Sequence, residues 1–279
     1  MTSSPTLTFN DGNTIPQLGY GVWQVEDDVA EKVVRQAFEA GFRHIDTAKI
    51  YGNEAGVGRA IASSGLSTEE IFITTKLWNA DQGYESTLAA FEESMDRLGL
   101  ETLDLYLIHW QQPKQEKYVD TWKALIELKK RGRVKSIGVS NFTKEGLQHI
   151  IDETGVVPAI NQVELHPFFN QADLREFNAS KGILTQAWSP LGQGGELLES
   201  ATVAEIAAKH DATPAQVIIA WHLAIGNVVI PKSVTESRIQ ENFAALNVTL
   251  DATDVEAING LDRGAEGRIG PDPAVSDFA

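Results

Sequence analysis

Four side chains able to handle a proton fall at similar places along the chain. Asp46 closes what reads as a short buried strand over 42–45, and Tyr51 follows on what reads as a loop. Lys76 closes the run 71–75, and His109 closes the run 105–108. A phenol, with an ordinary pKa of roughly 10, keeps its proton at neutral pH and can donate it. An ammonium beside the phenol would lower that pKa and ease proton transfer in both directions. A carboxylate would keep the ammonium charged in a partly desolvated site. A neutral imidazole would hydrogen-bond and orient the oxygen that receives the proton. Each residue also has a plainer use. Asp46 and Lys76 serve equally well, on pattern alone, as a structural ion pair between neighbouring strands. His109 could be a satisfied core histidine, Tyr51 a packed loop residue, and Trp78, Trp110 and Trp188 ordinary core. What favours chemistry is where they fall, at the ends of successive strand-like runs.

Those runs belong to a repeating pattern. Thr6-Leu7-Thr8-Phe9 alternates polar and apolar, meets Asn10-Asp11-Gly12-Asn13 and returns through Ile15-Pro16-Gln17-Leu18, which predicts a hairpin. Gly19-Tyr20-Gly21-Val22-Trp23 reads as a first core strand. Ala30, Val33, Val34, Ala37 and Phe38 then share one helical face, with Gly41 as the C-terminal cap. Strand and helix keep alternating to Val228-Val229-Ile230. Three late helices carry Thr-x-x-Glu/Gln signals, Thr202/Glu205, Thr213/Gln216 and Thr253/Glu256, that predict capping boxes. An irregular tail runs from Arg263. Alternation of this kind predicts parallel βαβ units, and eight of them favour a (β/α)8 TIM barrel in one domain spanning 1–279. The rival is an open doubly wound sheet. It would carry Gly-x-Gly-x-x-Gly directly after a strand, and neither Gly52/Gly56/Gly58 nor Gly192/Gly194/Gly195 has that spacing. In a barrel the site lies at the C-terminal ends of the strands. Those ends are Trp23, Asp46, Lys76, His109, Ser140, Glu164, Trp188 and Pro231-Lys232.

Composition narrows the partners. The 279 residues carry 23 Lys+Arg against 39 Asp+Glu, a net charge of -16. Such a surface repels nucleic acid and anionic membrane, so any phosphate must be held by a local basic cluster. With no cysteine, disulfides and thiolate metal sites are excluded. No stretch has the ~20 apolar residues of a membrane span, and Met1-Thr2-Ser3-Ser4-Pro5 has no signal-like core. A cytoplasmic monomer acting on a small molecule is the expectation.

Several motifs, in order along nearly the whole chain, resemble the aldo-keto reductases: Gly41-Phe42-Arg43-His44-Ile45-Asp46-Thr47-Ala48 with Tyr51-Gly52-Asn53-Glu54, Thr74-Thr75-Lys76-Leu77-Trp78, Ile108-His109-Trp110, Gly138-Val139-Ser140-Asn141-Phe142, Asn161-Gln162-Val163-Glu164-Leu165-His166-Pro167 and Ile230-Pro231-Lys232-Ser233. Within that family the chain is similar to the bacterial branch of 2,5-diketo-gluconate reductase. The resemblance implies NADPH-dependent reduction of a carbonyl, with Tyr51 as proton donor and Asp46, Lys76 and His109 beside it. It implies Ser140, Asn141 and Gln162 on the carboxamide and Trp188, in place of the usual tyrosine, stacked on the nicotinamide. Ser189, Leu191 and Gln193 would follow the pyrophosphate. Lys232, Ser233, Val234, Arg238, Glu241 and Asn242 would meet the adenosine end, although Glu241 and Asn242 also suit an ordinary helix surface. Trp23, Ile50, Trp78, His109 and Trp110 would wall the substrate pocket, and Arg268-Ile269-Gly270-Pro271-Asp272 would close it. Two departures bear on the substrate. Gln111-Gln112 intervene where the family has proline sooner, and Lys49 stands where a small or neutral residue is expected, offering a cation to an acidic substrate. The alternatives are a non-catalytic nucleotide-binding or interaction module on the same fold, and a metal-dependent barrel hydrolase, which the absence of any His-x-His pair disfavours.

Overall fold

A computed structural model describes residues 3–278. The predicted hairpin is β1 (Thr6–Thr8) paired antiparallel with β2 (Thr14–Pro16). The core strands then follow in chain order: β3 (Tyr20–Gly21), β4 (His44–Asp46), β5 (Phe72–Leu77), β6 (Leu103–Ile108), β7 (Val134–Ser140), β8 (Ile160–Glu164), β9 (Leu184–Trp188) and β10 (Val228–Val229). Each lies parallel to its neighbour in that same order. The ends of the sheet meet: Gly19 N–H donates to Val229 O at 2.8 Å and Val229 N–H to Gln17 O at 2.8 Å. The sheet is therefore a closed eight-stranded barrel, as the alternation predicts. Around it run α1 (Asp27–Ala40), α2 (Glu54–Ser63), α3 (Tyr84–Leu98), α4 (Tyr118–Lys130), α5 (Lys144–Thr154), α6 (Ala172–Ser180), α7 (Ala201–Lys209), α8 (Pro214–Ala224), α9 (Glu236–Ala244) and α10 (Ala252–Asn259).

The two-residue period of a strand divides its side chains between two environments. Ile45, Ile73, Tyr106, Ile108 and Val139 face outward and join the helices in one large apolar core. Phe72, Leu105, Leu107, Ile160 and Val228 face inward, and Phe9 and Ile15 of the hairpin pack beneath them. The hairpin thus plugs the N-terminal end of the barrel with apolar side chains. One layer higher the interior turns polar, with Asp46, Lys76, Ser140, Gln162 and Gln186 all buried. Space there is tight. A Cβ on Gly19 would stand 2.4 Å from the His44 ring, so glycine is what lets the first strand pass.

Helix ends follow the sequence in part. The apolar face of α1 is buried as predicted, and Gly41 closes it at a φ of 117°. Thr213 and Gln216 form the predicted capping box of α8, with Pro214 at its start. The box predicted at Thr253 is displaced by two residues, to Asp251 and Asp254. Asp254 also accepts from Lys209 at 2.7 Å and bonds His210 at 2.7 Å, so docking on α7 fixes where α10 begins. No box forms at Thr202, because Ala201 is already helical and Ser200 is the capping position.

Candidate active site

Asp46 is the last residue of β4 and Lys76 the fifth of β5, two neighbouring parallel strands. Their parity turns both side chains inward, where Lys76 is 0% and Asp46 2% exposed. Lys76 Nζ donates to Asp46 Oδ1 at 2.5 Å and to the Thr47 carbonyl at 2.9 Å. The second carboxylate oxygen, Oδ2, accepts from Gln162 Nε2 at 2.8 Å across the barrel. Burial pulls the Lys76 pKa below its ordinary value, and the Asp46 charge works against that pull.

Tyr51 ends a single 3-10 turn, Lys49–Tyr51, closed by Gly52 at a φ of 69°. The turn is held by Asn53. Its amide donates to the Val22 and Val25 carbonyls at 2.9 and 2.8 Å, and its oxygen accepts from Thr47 Oγ1 at 2.7 Å. The Tyr51 ring lies 5.2 Å from Lys76 Nζ and edge-on to His109 at 5.7 Å. The four expected residues therefore converge. The expected lowering of the Tyr51 pKa is not what the site does. Burial and then the Asp46 charge raise it well above the ordinary value. The phenol is thereby held protonated.

His109 follows β6 and is buried, its ring edge-on to Trp78 at 5.4 Å. Burial, and after it the Lys76 charge, depresses its pKa well below the ordinary value, so the imidazole is neutral. Its Nδ1 is buried with no hydrogen-bond partner among the described residues. A stranded lone pair is the lesser penalty than a stranded N–H, which assigns the proton to Nε2.

The residues expected to wall the substrate pocket differ in exposure. Trp23 and Ile50 stand exposed at the mouth, Trp78 is half-buried and Trp110 buried. The tail reaches further than expected. Glu164, at the end of β8, accepts the Ile269 and Gly270 N–H groups at 2.6 and 2.7 Å. A Cβ on Gly270 would come within 2.6 Å of the Trp188 ring. The chain then runs on to Phe278, whose ring packs 5.0 Å from Trp110 and 6.0 Å from Trp78, and whose carbonyl accepts from Asn79. Phe278 carried no sequence signal for this role. Glu164 carried one, as a carboxylate ending a strand.

Lys49 does not serve the mouth. Its ammonium is tied to Asp81 at 2.9 Å and Glu93 at 3.0 Å. Partial burial opposes the charge, yet these bonds hold its pKa above the ordinary value. Gln111 and Gln112 are buried. Gln111 accepts the Thr143 N–H at 3.1 Å and so supports the start of α5.

On the far side of the rim, Ser140, Gln162 and Gln186 are register partners on β7, β8 and β9. Ser140 Oγ donates to the Gln162 carbonyl. Asn141, at a φ of 56°, donates to the His109 carbonyl at 2.9 Å and to Ser140 Oγ at 3.1 Å, and accepts from Trp188 Nε1 at 2.8 Å. Ser189 and Gln193 both adopt positive φ in the glycine-rich loop that contains Leu191. After β10, Tyr20 Oη donates to the Ser233 carbonyl and pins the loop that carries Lys232 and Val234. Lys232, Val234 and Arg238 are exposed, and among the described residues neither cation has an ion-pair partner. Glu241 is half-buried and accepts from Thr213 Oγ1 at 2.7 Å, while Asn242 is buried. A cavity of ≈ 340 Å³ lies beside Asn141 and Trp188 beneath Arg268 and Pro271, and Tyr51 and His109 are not among its walls.

Comparison with known proteins places this geometry. Residues 16–263 match the Aldo/keto reductase family. The chain is 54% identical over 275 residues to an aldo-keto reductase of Mycolicibacterium smegmatis, covering 99% of each. It is 50% identical over 273 residues to the methylglyoxal reductase DkgA of Salmonella typhimurium, covering 97% of this chain and 98% of that one. Among solved structures, a mutant of Gox0644 in complex with NADPH superposes with a TM-score of 0.95 at 51% identity, over 99% of this chain and 100% of that one. An aldo/keto reductase from Brucella melitensis gives 0.91 at 55% identity, over 94% and 99% of the two chains.

Proposed function

This chain belongs to the aldo/keto reductase family, and from that premise we propose that it reduces a small carbonyl compound to the alcohol with NADPH, Tyr51 giving the proton. The observation that carries the reading is the convergence of Tyr51, Lys76, Asp46 and His109 on one rim of the barrel, with the Lys76 cation fully buried at the bottom of the set. A buried ion pair contributes little to stability, whereas a buried cation beside a phenol has an evident chemical use.

The residues present fit a nicotinamide. Both N–H groups of the Gln162 amide are used inside the protein, on Asp46 and on Gln186 Oε1 at 3.0 Å. Its Oε1 is left as an acceptor for a carboxamide N–H. Ser140, Asn141 and Gln162 would hold the carboxamide, and Trp188 would give the ring a flat face. Lys232 and Arg238 would meet the phosphate that distinguishes NADPH from NADH. Arginine can grip a phosphate through two parallel hydrogen bonds, and lysine acts as a point charge. When bound, the cofactor supplies the hydride for the carbonyl carbon.

The chain's own groups do the rest. His109 Nε2–H orients the carbonyl oxygen and polarises it. Tyr51 passes its proton to that oxygen as negative charge develops there. The phenol is protonated at neutral pH and so has the proton to give. The third N–H of Lys76 remains to stabilise the phenolate that Tyr51 leaves, and Asp46 keeps Lys76 charged. Trp23, Trp78, Trp110 and Phe278 exclude water and favour small or flat carbonyls. The protein acts as a single-domain cytoplasmic monomer in this reading. Methylglyoxal and diketo acids are the first substrates to try, given the relatives' names. Following NADPH absorbance with methylglyoxal, a diketo acid and a neutral ketone tests it: turnover with at least one, faster with NADPH than with NADH, is expected. Binding of NADPH without turnover on any carbonyl would favour a non-catalytic nucleotide-binding module instead.

A further inference from the structure

Gln186 is buried in the middle of β9, on the same strand face as Trp188 and directly across the register from Gln162. No step above requires it. Its Oε1 accepts from Gln162 Nε2 at 3.0 Å, while its own Nε2 is buried with no acceptor among the described residues. A barrel interior filled only for packing would hold an apolar residue here, since a buried amide N–H without a partner is a standing penalty. The geometry explains why a glutamine is there. Gln162 Nε2 has two hydrogens. One goes to Asp46 Oδ2 at 2.8 Å, which decides which end of the amide points toward the carboxylate. The other needs an acceptor on the opposite side, and Gln186 Oε1 is that acceptor. With both hydrogens held, the plane of the Gln162 amide is fixed and its Oε1 has one direction to face.

We propose that Gln186 is a positioning residue for cofactor recognition: together with Asp46 it locks the Gln162 amide, so that Gln162 Oε1 is presented ready to accept the nicotinamide carboxamide. The inference rests on the NADPH reading above and deepens it. It also joins the two halves of the site. The row Gln186, Gln162, Asp46, Lys76 is one hydrogen-bonded chain from β9 to β5.

Losing the lock leaves Gln162 free to turn, and ordering it falls to the cofactor on binding. Immobilising one such side chain corresponds to about three- to tenfold in affinity. The test is titration of the full-length protein with NADPH, followed by quenching of tryptophan fluorescence, for wild type, Gln186→Met and Gln186→Glu, with steady-state kinetics and thermal melts alongside. Gln186→Met should weaken NADPH about three- to tenfold and raise its KM by the same factor, while kcat at saturating NADPH changes less. Its melting temperature should not fall below wild type, because the two unpaired N–H groups of Gln186 are exchanged for one unpaired Gln162 N–H. Gln186→Glu, charged or protonated, keeps an acceptor oxygen and should bind NADPH within about twofold of wild type. Unaltered binding by Gln186→Met would overturn the proposal. So would equal losses in both variants, or a loss in Gln186→Glu alone, since either would make the glutamine a packing residue. A wild type that does not bind NADPH would instead overturn the cofactor reading on which the proposal stands.

Discussion

Two aspartate–lysine pairs occupy opposite ends of the same barrel. Asp104 and Lys135 meet at 2.7 Å near the N-terminal end, with the lysine side chain 48% exposed. Asp104 also accepts the Ile73 N–H at 2.8 Å, so every oxygen has a structural use. Burial raises the Asp104 pKa, and Lys135 and the Ile73 N–H pull it back. Asp46 and Lys76 meet one polar layer below the opposite rim, both buried. Around them lie groups the fold does not satisfy, His109 Nδ1 and Gln186 Nε2 among them. The same chemical pair is partly exposed at one end and buried beside the Tyr51 ring at the other. This is the division expected of barrels, with stability at the bottom and chemistry at the top.

The comparison breaks most sharply on removing each lysine. Lys76→Met strands a buried carboxylate and should cost about 3–5 kcal/mol in urea denaturation, with turnover lost. Lys135→Met also takes a partner from a mostly buried carboxylate, but Asp104 keeps the Ile73 N–H and the lost lysine is half exposed, so the cost should be smaller, about 1–3 kcal/mol, with turnover intact. Similar costs for the two would erase the distinction. Acid sharpens the same contrast. His44, beneath Asp46, is buried and its pKa is pushed down to about 4 from 6.5, by burial first. Between those values the unfolded chain binds a proton that the folded one refuses. The stability that neutral His44 contributes is therefore fully present above pH 6.5 and is lost as pH falls toward 4, about 3 kcal/mol in all. Denaturation curves at pH 7.5 and 4.5 should show that loss, and His44→Gln should flatten it. On the cofactor side, Arg238→Ala should weaken NADPH roughly tenfold to a hundredfold and leave NADH nearly untouched, because a charge-assisted bond to the extra phosphate is lost. Dissociation constants for both cofactors decide it, and equal losses would remove Arg238 from the phosphate site. The smallest effect is expected at Lys49. Tied to Asp81 and Glu93, it offers no free cation to a substrate. Lys49→Met should shift the KM of carboxylated and neutral carbonyls alike, by less than about twofold, and a selective rise for carboxylated ones would restore its assignment to the mouth.

Much of this was legible because a strand's period is two. Strand ends placed Asp46, Lys76, His109, Ser140 and Glu164 on one rim, and parity turned Asp46, Lys76 and Gln162 inward. The same parity marks Gln186, two residues before Trp188, but a buried glutamine has no distinctive spacing. Only its bond to Gln162 gives it a role. What the sequence hid was settled by tertiary partners. Lys49 meets carboxylates from distant segments, Asp254 displaces a capping box by binding α7, and Phe278 crosses the rim from the last turn of the chain. The direction of the Tyr51 pKa is set by burial and then by the Asp46 charge, which no motif encodes.

The central claim is that Tyr51 gives up the proton. Tyr51→Phe removes the hydroxyl and keeps the ring against His109 and Lys76. NADPH oxidation with the best carbonyl substrate, measured for wild type and Tyr51→Phe beside the NADPH dissociation constant of each, isolates that proton. Turnover should fall by roughly 10²–10⁴ while NADPH binds nearly as before. A Tyr51→Phe enzyme that kept more than about a tenth of its turnover, well short of the loss expected for a general acid, would contradict the account.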